Sequence, residues 1–288
     1  MTSLLPNQLR LQLTKLQWQT SSQKRGSQNG RRRSSTYGSS LDFSDFRPYQ
    51  LGDDIRQIDW NVYARTHKHY IKRFLDEQEL SITIFIDCSI SMGKERKKWK
   101  MAKALAAMVA YIGLANDDRV SIIPVSNDNY PFLNKKGMVF TQEMLSQVDT
   151  YQATEEKGFF ELLASFRQSK SNLSFIISDF LEPIEIIVEK LKHIQVNQHL
   201  RIIHLLSEEE LHPSFNGDVN LLDVEKKLAP VQVSVNRQVI YAYKERLTKH
   251  CKQIEKLCHE RGMEYIKLST AQSLESILYH NMKQRGWL

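Results

Sequence analysis

Four short apolar runs alternating with helical patterns restrict this chain more than any other feature. They are Leu80 to Asp87, Arg119 to Val125, Leu173 to Ser178 with Asp179 next, and Leu200 to Leu206 with Ser207 next. Strands this uniformly apolar are buried on both faces, as parallel strands are when helices cover the sheet. The intervening segments predict those helices. Trp99 to Leu114 is apolar over most of its surface, Glu143 to Val148 and Phe159 to Phe166 are helical, and Pro183 opens a helix to about Lys192. Met138 to Phe140 reads as a short strand, as do Val219 to Val224 and Val231 to Val235 around Pro230. Gln238 to Arg261 predicts a long helix stopped by Gly262, followed by a strand at Tyr265 to Leu268 and a final helix from Ser273 to Lys283. The expected fold class is α/β, a mostly parallel sheet with helices on both faces.

The first 79 residues are different. Leu4 to Trp18 fits in part a short amphipathic helix, and Thr20 to Ser40 is Ser, Gln, Gly and Arg with almost no apolar residue. Residues 1–40 are therefore expected to be a helix and a flexible basic linker, 41–79 a bracing segment, and 80–288 the sheet domain. His69 to Leu75 alternates enough for a strand, and Gly52 followed by Asp53 and Asp54 signals a turn. Arg47, Arg56 and Arg65 alternate in sign with Asp53, Asp54 and Asp59, so these charges are expected to pair and stiffen the segment, with Trp60 as its apolar anchor.

Composition excludes some functions. The net charge of +7 owes much to Lys24, Arg25 and Arg31 to Arg33, which leaves the folded part nearer neutral and makes a dedicated nucleic-acid binder a poor reading. Three cysteines without Cys-x-x-Cys spacing suit a reducing compartment, and Cys251 and Cys258 should share one helix face. No apolar stretch is long enough to span a bilayer and no signal peptide is evident, so a cytoplasmic location is expected. No phosphate-binding glycine loop occurs, so no nucleotide is expected.

The chemistry converges on two strand ends. Asp87, Ser89 and Ser91 form Asp-x-Ser-x-Ser where a buried strand leaves its sheet, and Asp179 ends another. In open α/β sheets ligands bind beyond the carboxyl ends of the strands. Carboxylates with alternate hydroxyls suit a hard cation, Mg²⁺ or Mn²⁺, that keeps open positions for water or a partner. The same aspartates also make ordinary turn and helix caps. Cys88, inside the motif, has no histidine near it in sequence to activate it, though His69 or His204 could approach in space, and no catalytic residue is assigned.

Asp87-x-Ser89-x-Ser91 before a long helix, with Asp179 ending a later strand, resembles the von Willebrand factor A fold and its metal-ion-dependent adhesion site. Arg47-Pro48-Tyr49-Gln50-Leu51-Gly52-Asp53-Asp54-Ile55-Arg56-Gln57-Ile58-Asp59-Trp60, then Ala64-Arg65 and Lys72-Arg73-Phe74, resembles the signature of the domain-of-unknown-function-58 family, in its shorter soluble type. The resemblance implies a non-enzymatic adaptor or assembly factor that works with a MoxR-type AAA+ ATPase and contacts its partner through the metal. A complete adhesion site also takes a loop threonine. Phe160 stands at that position here, and Thr154 could replace it only if the loop folds back. Two alternatives stay open. One is a metal-dependent phosphoesterase using Asp87 and Asp179, with Lys94, Arg96, Lys97 and Lys98 as its cationic groups. The other is a metal-free scaffold.

Overall fold

The computed structural model describes residues 4–20, 43–74, 79–163, 165, 171–194, 199–213, 217–221 and 231–288. Of the expected basic linker, residues 21–40 lie outside them. In chain order the elements are α1 (Asn7–Leu13), β1 (Phe43–Pro48), α2 (Trp60–Thr66), β2 (Tyr70–Phe74), β3 (Ser81–Asp87), α3 (Ile90–Gly93), α4 (Arg96–Ala115), β4 (Arg119–Val125), β5 (Phe132–Lys136), α5 (Thr141–Thr150), α6 (Phe159–Leu163), β6 (Leu173–Ser178), α7 (Ile184–Ile194), β7 (His199–Leu206), α8 (Glu208–Leu211), β8 (Gly217–Leu221), β9 (Val231–Val235), α9 (Arg237–Glu260) and β10 (Glu264–Ser269). A helical segment from Leu274 to Lys283, its second part wound as a π-helix, follows β10. The chain divides into two compact units, Thr20–Glu79 and the remainder, Met1–Gln19 with Leu80–Leu288. The N-terminal helix, expected to stand apart with the linker, thus belongs with the sheet.

The larger unit is built on a six-stranded sheet of order β10-β7-β6-β3-β4-β5, parallel except for β5, which pairs antiparallel with β4. β3 occupies the interior, and alternate side chains serve opposite faces. Ile82, Ile84 and Ile86 join α1, α4 and α5, whereas Phe85 joins α6, α7 and α9. β5 falls where no strand is expected, while Met138–Phe140, expected as a strand, is a turn of 3₁₀ helix. Only the C-terminal half of α9 follows its expected apolar stripe. Cys251, Ile254 and Cys258 are buried, but Tyr243 is 40% exposed. Among the described residues no helix is long and apolar enough to cross a membrane.

The smaller unit folds around the antiparallel pair β1–β2. Gly52, at φ 103°, makes the turn that lets Asp53 reach back to Arg47. The guanidinium holds both carboxylate oxygens, at 2.5 and 2.6 Å, and the Gln50 amide donates to the same group at 2.8 Å. These bonds, that of Arg47 foremost, lower the Asp53 carboxyl to about 2. The rest of the expected charge lattice differs. Asp54 caps the 3₁₀ turn Ile55–Gln57 and Asp59 caps α2, each through backbone amides, while the Arg56 and Arg65 side chains are exposed. A carboxylate that precedes a helical turn finds unpaired amides closer than any arginine. Trp60, expected as an apolar anchor, is 58% exposed and meets Tyr63 and His69 edge-on.

Candidate functional site

β3 and β6 are adjacent, but the chain leaves them in opposite directions. After β3 it crosses through α4 to β4 on one side, and after β6 through α7 to β7 on the other. Their carboxyl ends therefore flank the topological switch point, where such sheets open a crevice. Asp87 ends β3 and Asp179 follows β6, each 2% exposed.

Asp87 is held on both oxygens. The Ser89 amide donates to Oδ1 at 2.9 Å and the Ser178 hydroxyl to Oδ2 at 2.6 Å. Ser89 stands at the N-cap of α3 without capping it; its hydroxyl lies 3.0 Å from that of Ser91. The expected pair of hydroxyls beside a carboxylate is therefore present as a local group. Burial, and then the charge of Asp179, push the Asp87 carboxyl up to about 7. Two carboxylates thus share one water-poor rim, and the charge of Asp179 disfavours ionisation of Asp87.

Asp179 is positioned by a sharp exit from β6. Phe180 takes a left-handed conformation, φ 51°, and its carbonyl accepts from His250 Nε2 at 2.6 Å. The Leu181 amide donates to Asp179 Oδ1 at 3.3 Å, while Lys98 Nζ donates to Oδ2 at 2.8 Å. Lys98, from α4, is 1% exposed and also donates to Glu210 Oε1 at 2.7 Å. Burial lowers its pKa, but Asp179 and then Glu210 outweigh that and hold the ammonium above its ordinary range. Of the four cationic residues that follow the motif, Lys94, Arg96 and Lys97 are exposed and Lys98 alone turns inward. Its signal in the sequence is position. It precedes Ala102 and Leu105, which are buried on the same helix, by four and seven residues.

The loop after α5 lies alongside the motif. Glu155 N donates to the Cys88 carbonyl at 3.0 Å and Ile90 N to the Glu155 carbonyl at 3.1 Å. A Cβ on Gly93 would fall 2.6 Å from the Ala153 carbonyl oxygen, so that close approach requires glycine. Thr154, the possible substitute ligand, sits in this loop with its hydroxyl 3.5 Å from Asp128 Oδ2. Phe160 is fully buried against Phe159 and Phe180, and its amide donates to Glu182 at 2.9 Å. Its ring is core, so it brings no oxygen to the rim. Cys88 is buried, and desolvation first and Asp87 second raise its thiol well above the ordinary range, which describes an inert side chain.

The donor set fits a small hard cation. It offers Asp87, Ser89 and Ser91, with Asp179 near enough to Asp87 to raise its carboxyl, and Lys98 already compensates part of the negative charge that a cation would meet. Among the described residues no group of three or more His, Cys, Asp or Glu converges, so water would have to complete the shell.

The family described as "Protein of unknown function DUF58" matches residues 45–253. Uncharacterized proteins of Mycobacterium tuberculosis and Mycobacterium bovis are each 25% identical over 188 residues, covering 62% of this chain. The match spans 59% of the length of those relatives. An aerotolerance-related membrane protein from Bacteroides fragilis, solved with multiple mutations to serines, aligns over 71% of this chain and 97% of its own. That alignment has 14% identity and a TM-score of 0.36.

Proposed function

We propose, from the premise that the chain belongs to the DUF58 family, that it is a non-enzymatic adaptor or assembly factor gripping a protein partner through a divalent cation. The sheet unit is read as von Willebrand factor A-like, and the partner class implied by the resemblance is a MoxR-type AAA+ ATPase. Asp87, Ser89 and Ser91 would hold Mg²⁺ or Mn²⁺, with Asp179 supplying the second negative charge. The bound ion supplies an electrophilic position for a carboxylate of the partner. The chain's own residues do the rest. Ser178 and the Ser89 amide fix the Asp87 carboxylate at the strand end.

The observation that carries this reading is the meeting of Asp87 with the Ser89–Ser91 pair and Asp179 at the switch point. A metal-free scaffold is the second reading, favoured by the hold of Lys98 on Asp179. Calorimetric titration with Mg²⁺ and Mn²⁺, using Asp87→Ala as control, separates the two. The adaptor reading expects uptake that Asp87→Ala abolishes, and partner capture that a chelator reverses. Capture that persists unchanged in chelator and in Asp87→Ala favours the scaffold.

A further inference from the structure

We propose that Lys98 sets the cation affinity of this site and that Glu210 tunes it. The inference rests on the reading that Asp87, Ser89, Ser91 and Asp179 receive a divalent cation, and adds what controls its binding. A lysine buried this deeply is uncommon and persists only with charged partners. Lys98 has two, Asp179 Oδ2 at 2.8 Å and Glu210 Oε1 at 2.7 Å. Its ammonium thus already neutralises the carboxylate that a divalent ion would use as its second charge. An incoming cation meets the field of Asp87 with Asp179 largely cancelled, and it is repelled by the ammonium as well.

Glu210 is the counterweight. It lies in α8, just beyond β7, the strand on the far side of β6 from β3. Its carboxylate does not swing freely. Oε2 accepts from the Ser207 amide at 2.7 Å while the Ser207 hydroxyl accepts from the Glu210 amide at 3.1 Å, a complete capping box. The ammonium is therefore shared between a carboxylate of the site and one locked to a helix start outside it. Neutralising Glu210 leaves the ammonium to Asp179 alone; removing the ammonium releases Asp179 to the cation. The two changes act with opposite sign, which a merely structural ion pair does not require.

The test is calorimetric titration of the full chain with Mg²⁺ and with Mn²⁺, comparing wild type, Lys98→Met, Glu210→Gln and Lys97→Met, with circular dichroism as the check on folding. Lys98→Met should tighten binding by about tenfold or more and Glu210→Gln should weaken it several-fold, while Lys97→Met, exposed on the same helix, leaves it unchanged. Binding by Lys98→Met alone, with none by wild type, also supports the proposal. It is overturned if Lys98→Met, folded, binds no more tightly than wild type, or if Lys97→Met tightens binding equally. Should Lys98→Met fail to fold, Glu210→Gln decides: weakening supports the proposal, and unchanged or tighter binding overturns it. If wild type binds and the variants do not differ, only this inference falls. If no form takes up either cation, the adhesion-site reading falls with it.

Discussion

At the scale of the residue, Asp87 is asked to be both buried and charged. Its carboxyl is raised to about 7, by burial first and Asp179 second. A group that holds its proton more tightly folded than unfolded contributes stability fully below its unfolded pKa, near 4, and loses it as pH climbs through the folded value. The metal-free protein should therefore lose stability between about pH 4 and pH 7, by at most about 1.4 kcal/mol per pH unit for this one proton. Urea denaturation in a chelator at pH 5 and pH 8 measures the slope. Asp87→Asn should flatten it, and an unaltered slope in that variant would refute the assignment. Asp87 and Asp179 could be read from the sequence because each closes an apolar run. Lys98 and Glu210 could not be paired, since no local pattern announces that a lysine on α4 will meet a glutamate 112 residues later.

Among the elements, α1 shows how far periodicity reaches. Its leucines suggest an amphipathic helix but not the surface that receives it. In the structure Leu5, Leu9, Leu13 and Trp18 are all fully buried, with the Trp18 indole donating to the Val109 carbonyl at 3.2 Å and its ring 4.8 Å from that of Phe175. Trp18→Ala should cost about 3–5 kcal/mol, the range for emptying an aromatic site in a core. A denaturation midpoint within error of wild type would show that the Trp18 side chain contributes nothing net to the core. β5 was illegible for the opposite reason. Leu133 is 47% exposed, and the strand ends in Lys135 and Lys136, so the edge strand lacks the apolar run that marks its neighbours. Likewise β1 carries Arg47 and Pro48, and only its pairing with β2 identifies it as a strand.

For the molecule as a whole, the parallel α/β architecture was readable because buried strands and covering helices differ in composition, but the order of strands was not. It depends on contacts distant in sequence, and Arg201 gathers several of them. The side chain, 2% exposed, bonds Glu264 at 2.5 Å, the Trp287 carbonyl at 3.3 Å and the Gln19 carbonyl. It also lies 4.9 Å from the Trp287 ring centroid, with Trp18 and Phe175 at 5.6 and 5.7 Å. Arg201→Met should destabilise by about 3 kcal/mol, the lower end for severing a buried pair because Glu264 is 31% exposed. Thermal unfolding of the variant checks it; an unshifted transition would mean that these contacts contribute nothing net.

The assignment of residues 1–19 to the same unit as 80–288 makes the intervening stretch an insertion within a domain rather than a module placed before it. A fragment cut to begin at Leu80 would carry the whole sheet yet lack Leu5, Leu9, Leu13 and Trp18, leaving bare apolar surface where the intact chain has interior. Excising residues 20–79 and rejoining the flanks with a flexible tether is the cut that respects the fold.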